Sequence, residues 1–237
     1  MEGRTGVAAS RGSRRGATGA GSARRPPVER SLRTQGRHTR ARLLDAGMQV
    51  LRERGYHAAR VDDVVRLAGV SHGTFYLYFS NKEDLFRALA EQCAEEMTAL
   101  AASLGPVPAG AGGVAELRRW LGEFVATYRA YGVVIRAWME RQVGDRELVR
   151  LGGRTFAAIA AAFVERIEEA APGTPRHDAE LRAAALLAMV ERLTYYVTSR
   201  GSEAGDEAVV ATLAQVVHRG FFSPTGGTGS RLRLARA

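Results

Sequence analysis

The sequence predicts an all-α fold of about nine helices in two parts, a small helix-turn-helix domain followed by a larger helical body. Three observations carry this prediction. Between residues 39 and 222 apolar side chains recur every three to four positions, and no stretch alternates as a strand would. Glycine and proline punctuate the pattern at Gly55, Gly69, residues 105–113 and 172–175, where helices stop. Within it, the run VDDVVRLAGVSHGTFYLYF from Val61 to Phe79 joins two short helices through a single glycine.

Taken in order, residues 1–36 are rich in Gly, Ala, Ser, Thr and Arg and show no period, so a disordered basic arm is expected. Helix one is expected from Thr39, a possible cap, to Arg54, with Leu43, Ala46, Gly47, Val50 and Leu51 inward and Gly55 as its stop. Helix two covers about 61–68. Its apolar face is Val61, Val64, Val65 and Ala68, and Asp62, Asp63 and Arg66 take the other side. Gly69 can enter the left-handed region without steric penalty. Val70 can fill the gap between helices, and the Ser71 hydroxyl can accept from an orphan N–H of helix three, about 71–78. A capping box, Asn81 with Asp84 or Ser80 with Glu83, opens helix four, which carries Leu85, Leu89 and Cys93 inward to about Ser103.

The body continues with five helices. Val114–Tyr131 carries Leu117, Trp120, Leu121, Phe124 and Tyr128 on one stripe, and a short helix from Val133 to Gln142 carries Trp138 and Met139. Asp145 opens the next, with Leu148, Leu151, Phe156, Ile159, Phe163 and Ile167. Helices at about 178–199 and 206–222 complete the count, and residues 223–237 are expected to be a disordered basic tail.

The net charge of +9 belongs to the ends. Residues 1–37 hold nine Arg against two Glu and residues 223–237 three Arg and no acid, whereas 38–222 hold 22 basic and 23 acidic residues. Basic arms attract polyanions without reading sequence. No apolar run approaches the ~18 residues of a membrane span, and no apolar stretch follows the N-terminal arginines as a signal peptide requires. A single cysteine, Cys93, excludes an internal disulfide and a thiolate metal cluster. A cytoplasmic protein without metal, cofactor or membrane association is expected. No HExxH, GxSxG or P-loop appears, and the glycine pairs at 112–113 and 226–227 sit in connectors, so no enzymatic chemistry is expected.

Helix three is short, and only Phe75 and Phe79 are strong core anchors. His72, Gly73, Thr74 and Tyr76 are left outward. Such a helix suits the major groove of DNA. Thr39 then Leu43, Asp45-Ala46, Gly55-Tyr56, Val61, Val64, Ala68-Gly69-Val70-Ser71, Gly73-Thr74-Phe75-Tyr76, Tyr78-Phe79, Asn81-Lys82-Glu83 and Leu85 together resemble, in order and spacing, the DNA-binding domain of the tetracycline-repressor-like (TetR) family of bacterial regulators. The resemblance implies DNA contacts from Ser71, His72, Gly73 and Thr74, and phosphate contacts from Thr39, Tyr76 and Lys82. Four positions depart from the family pattern. Arg60 stands where Thr or Ser usually caps helix two, and can instead reach a phosphate. Val65 stands for Ala at a close helix crossing. Gly47 stands for Ala at a cost of about 1 kcal/mol, and Leu51 for Phe.

The resemblance also implies a division into a basic arm (1–36), a DNA-binding domain (37–84), an effector-binding and dimerisation domain (85–222) joined through helix four, and a tail (223–237). Phe124, Tyr128, Trp138 and Phe163 are the candidate walls of a pocket for a small, largely apolar effector. Ala184, Leu187, Ala188, Val209, Leu213 and Val216 are the candidate homodimer surface. The expected function is a ligand-responsive repressor on a palindromic double-stranded operator. The alternative is a sequence-indifferent DNA-binding protein driven by its basic arms.

Overall fold

The computed structural model describes residues 27–139, 145–200 and 205–222. The chain divides after Thr39 into two compact units, and the packing given below lies within the second, Arg40–Ala237. The described residues form eight α-helices and a π-helical turn, with no strand among them: α1 (Pro27–Ala58), α2 (Val61–Ala68), α3 (His72–Tyr76), α4 (Lys82–Ala102), α5 (Ala111–Met139), α6 (Arg146–Ala170), α7 (Arg176–Arg200), α8 (Asp206–Val217) and the π turn His218–Phe222.

Three boundaries differ from the sequence-based expectation. Helix α1 begins at Pro27, so residues 27–36, expected as part of a disordered arm, are helical. Proline suits a first helical position, because the N–H it lacks would have no partner there. The rest of that arm (1–26) and the tail (223–237) lie outside the described residues. The helices expected at Val114–Tyr131 and Val133–Gln142 are one helix, α5, which runs through Gly132; residues 140–142 lie outside the described residues. Gly132 lowers local propensity by about 1 kcal/mol. The neighbouring Tyr128, Val133, Val134 and Ile135 are all buried, and tertiary packing of that face outweighs it. Finally, α8 ends at Val217 and the chain reaches Phe222 through the π turn.

Elsewhere the local chemistry acts as expected. Gly55, at φ 74° and ψ 170°, breaks the run of α1. Gly69, at φ 62° and ψ 42°, ends α2, and its N–H returns to Arg66. The α2 N-terminus at Arg60 has no side-chain cap. Asn81 Oδ1 accepts from the Asp84 N–H (2.8 Å), and Asp84 Oδ2 accepts from the Ser80 N–H (2.9 Å), which selects the Asn81/Asp84 pairing for the start of α4. Asp145 Oδ1 accepts from the Glu147 N–H (2.8 Å) and starts α6.

Helix α4 packs against α5 and α6, α7 against α6, and α8 against α5. Trp120, Phe86, Phe163 and Leu89 are fully enclosed, and each such side chain contributes about 1.5–3 kcal/mol of transfer free energy. Gly47 has a use that propensity hides. A Cβ there would stand 2.7 Å from Leu85 Cδ2, so the missing methyl lets α1 and α4 approach. Val65, the larger residue at the expected crossing, is buried. Asp63, expected on the outer face of α2, is buried too, with Arg54 Nη1 3.0 Å from one oxygen and Arg66 on the other. Cys93 is fully enclosed, and burial raises its thiol to about 12. No helix among the described residues is long and apolar enough to cross a membrane, and no cluster of three or more His, Cys, Asp or Glu among them could hold a metal ion.

Candidate functional site

The helix-turn-helix is built from two anchors and two caps. Phe75 and Phe79 are buried and hold α3 on the core, with ring centroids 5.7 Å apart. At the far end of α2, Arg42 donates to the Ala68 carbonyl, which the helix itself leaves without a partner. Ser71 Oγ accepts from the Thr74 N–H at 3.1 Å and lies 3.0 Å from the Thr74 hydroxyl. Ser71 and Thr74 therefore spend hydrogen-bonding capacity on shaping α3, and Thr74 is half-buried.

The outward face of α3 is His72, Gly73, Tyr76 and Leu77. His72 Nε2 lies 2.7 Å from Asp62 Oδ1, a contact that fixes the ring across the turn. Gly73 is exposed, and a Cβ there would meet nothing closer than Ser71 Oγ at 3.8 Å. Tyr76 is 57% exposed, standing edge-on to Phe75, while Tyr78 is half-buried against the core. Leu77 is 81% exposed, and sequence reading missed it. The available signal was position, since a residue midway between the anchors Phe75 and Phe79 faces away from both. Arg60 is exposed at the start of α2. Thr39 belongs to the first compact unit, where its hydroxyl donates to the Gln35 carbonyl at 3.0 Å.

Lys82 has partners within the protein. Its ammonium donates to the Tyr56 carbonyl at 3.0 Å and lies 4.8 Å from the centre of the Tyr56 ring. The His57 carbonyl is a further 3.5 Å contact. The side chain clamps α4 to the end of α1. What remains for an anion at this place is the α4 N-terminus, where backbone N–H groups point outward.

In the body, Phe124, Tyr128 and Trp138 line one cavity with Phe156, Leu187 and Glu191. Phe163 does not join them. It packs against Trp120 at 5.1 Å and is buried in the core. The cavity measures about 20 Å³, enough for one water. Burial, with the Glu191 carboxylate beside it, raises the Tyr128 hydroxyl well above the ordinary tyrosine value, and it donates to Glu191 Oε1 at 3.0 Å. The Trp138 indole N–H is shielded from solvent and has no hydrogen-bond partner among the described residues. Glu191 was not among the candidates. It stands one turn beyond Leu187 and next to Arg192 in sequence, so its sequence context looked ordinary.

Among the candidate dimer residues, Leu187 and Leu213 are buried within the protomer. Ala184 and Ala188 are exposed, Val216 is 50% exposed and Val209 is half-buried. Leu181, at 71%, and Tyr196, at 54%, extend the exposed apolar face of α7.

The chain is similar to known proteins. The profile of bacterial regulatory proteins of the tetR family matches residues 43–89. The "Fatty acid metabolism regulator protein" of Bacillus subtilis is 44% identical over 50 residues, 21% of this chain and 26% of that protein, so the match spans about a quarter of that relative's length. The "HTH-type transcriptional regulator EthR" of Mycobacterium tuberculosis is 28% identical over 176 residues, 72% of this chain and 80% of that protein. Among solved structures, the fatty acid degradation regulator FadR from Bacillus halodurans superposes with a TM-score of 0.58 at 20% identity, over 76% of this chain and 98% of that one. At that identity the likeness is one of fold.

Proposed function

Because this chain belongs to the bacterial TetR family of regulatory proteins, we propose that it is a ligand-responsive transcriptional regulator, a repressor that binds a palindromic operator as a homodimer in the bacterial cytoplasm. The observation that carries this reading is the outward face of α3. His72, Gly73, Tyr76 and Leu77 stand in solvent on a helix capped and anchored from behind. Base edges and thymine methyls in a major groove have the matching chemistry. In this reading Tyr76, Arg60 and Thr39 meet phosphates, and Ser71, Thr74 and the α4 N-terminus at Lys82 frame the contact.

The working division is a reading head at 37–84 and an effector and dimer body at 85–222. One short helix reads too few base pairs for selectivity, so two copies on half-sites about 34–36 Å apart are required. The exposed apolar face of α7 (Leu181, Ala184, Ala188, Tyr196) with Val216 of α8 supplies the contact between copies. The effector enters the cavity at Phe124, Tyr128 and Trp138. Opening a 20 Å³ space to drug-sized volume must displace α6 from α4 and α7. Two links carry that displacement to the head: Arg87 of α4 pairs with Asp145 at the start of α6, and Arg52 of α1 donates to the Ala130 carbonyl of α5. The effector thus shifts the population toward a spacing of recognition helices that no longer fits successive grooves.

Selection of bound duplexes from a random pool tests this. An inverted repeat is expected to emerge, with a dimer on each duplex and affinity lost on Tyr76→Ala. Enrichment of no sequence at moderate salt overturns it.

A further inference from the structure

We propose that Leu77 reads the operator, and that what it reads is the C5 methyl group of a thymine, one in each half-site. This rests on α3 being the helix that enters the major groove, and it names the base feature that this helix selects. A single exposed leucine on a protein surface is ordinary. Leu77 is set apart by its place and its neighbours. Gly73, Tyr76 and Leu77 stand at i, i+3 and i+4, so they share one face, across the helix from the buried Phe75. Leu77 keeps helical dihedrals at the end of α3 (φ −72°, ψ −22°), and its N–H donates to the Thr74 carbonyl at 3.3 Å. The helix therefore holds the position from which the side chain projects. At 81% exposure it is the most exposed large apolar side chain among the described residues.

A second observation is what this helix lacks. From Ser71 to Ser80 the chain carries no Arg, Lys, Asn or Gln, the side chains that take guanine or adenine through paired hydrogen bonds. The polar groups that are present have partners within the head. Ser71 Oγ accepts from the Thr74 N–H and lies 3.0 Å from the Thr74 hydroxyl, and His72 Nε2 lies 2.7 Å from Asp62 Oδ1. Just beyond, Asn81 accepts from the Asp84 N–H and Lys82 donates to the Tyr56 carbonyl. Of the features that base pairs present in the major groove, the thymine methyl is the apolar one, and leucine is the aliphatic side chain on this face. Gly73 brings the two together. A Cβ there would meet nothing nearer than Ser71 Oγ at 3.8 Å, so the backbone one turn before Leu77 is free to approach base edges closely. Contact between leucine and methyl then removes both from water.

The test starts from the inverted repeat selected with the full chain. Each thymine in turn is replaced by deoxyuridine in both half-sites, which removes one methyl and leaves every hydrogen-bonding group in place. Affinity is read by gel-shift titration at fixed salt. One symmetric pair of thymines is expected to respond, with a loss of about fourfold per half-site and about 15-fold for the two, the worth of one buried methyl each. In Leu77→Ala the thymine duplex is expected to bind more weakly, and the same replacement to change affinity by no more than about twofold. Leu77→Ser serves as a second variant, with the same expectation. If an inverted repeat is selected and no thymine responds to the loss of its methyl, the methyl proposal is overturned while the operator reading stands. A response as large in the Leu77 variants as in the unaltered chain overturns the assignment to Leu77. If no sequence is selected, both readings fall.

Discussion

Replacing Lys82 with Met separates two roles for this side chain. The ammonium donates to the Tyr56 carbonyl at 3.0 Å and sits 4.8 Å over the Tyr56 ring. A charged donor on a carbonyl contributes about 1.5–3 kcal/mol, and a cation over a ring about 0.5–1 kcal/mol at exposed sites. Lys82 is half-buried, so water recovers part of both, and methionine retains the packing of the stem. A net loss of about 2 kcal/mol follows, or roughly 4–8 °C in Tm for a protein of this size. Thermal unfolding checks this. The dependence of operator affinity on salt supplies the second axis, since each phosphate neutralised adds about 0.9 to the slope of log K against log salt. The clamp predicts lower stability and weaker binding with an unchanged slope. Unaltered stability with a slope reduced by about 0.9 would refute the clamp and place the ammonium on a phosphate.

Other outcomes follow from the same geometry. Tyr76→Phe removes an exposed hydroxyl that makes no hydrogen bond among the described residues, so stability should stay within about 0.5 kcal/mol. Operator affinity should fall roughly tenfold, the worth of one hydrogen bond to a charged oxygen; equal affinity in a gel-shift titration would remove Tyr76 from the interface. Gly69→Ala should cost about 1–2 kcal/mol in denaturant unfolding, because φ 62° strains an alanine, and Gly69→Asn should cost less. Asp145 is held below the usual carboxylate range by the Glu147 N–H it accepts, and further by Arg87. A depressed folded-state pKa stabilises above the unfolded value of about 3.9 and loses its contribution as pH falls through the folded one. The stability gap between the wild type and Asp145→Asn should therefore be full at neutral pH and close below about pH 4. A gap that did not vary with pH would show that Asp145 acts as a neutral acceptor alone.

The fold class, the helix-turn-helix and its caps were legible in the chain because they depend on residues close in sequence. Gly69 ends α2 by its backbone freedom, Ser71 and Asn81 cap by three-residue reach, and Phe75 and Phe79 anchor by helical spacing. What escaped sequence reading depends on residues far apart. The contact of Lys82 with the Tyr56 carbonyl, 26 positions away, is of this kind. Phe163 and Phe124 share a helical rhythm, yet one fills the core beside Trp120 and the other faces the cavity.

Helix α7 marks the limit most clearly. It is apolar around much of its circumference, so periodicity alone cannot choose its inner face. Packing turned Ala183, Leu186, Leu187 and Val190 inward and left Leu181, Ala184, Ala188 and Tyr196 outside. Short-range stereochemistry is written into neighbouring residues and can be read from them. The orientation of an ambiguous helix, and the meeting of Glu191 with Tyr128 across 63 positions, are settled only when every helix competes for the same interior.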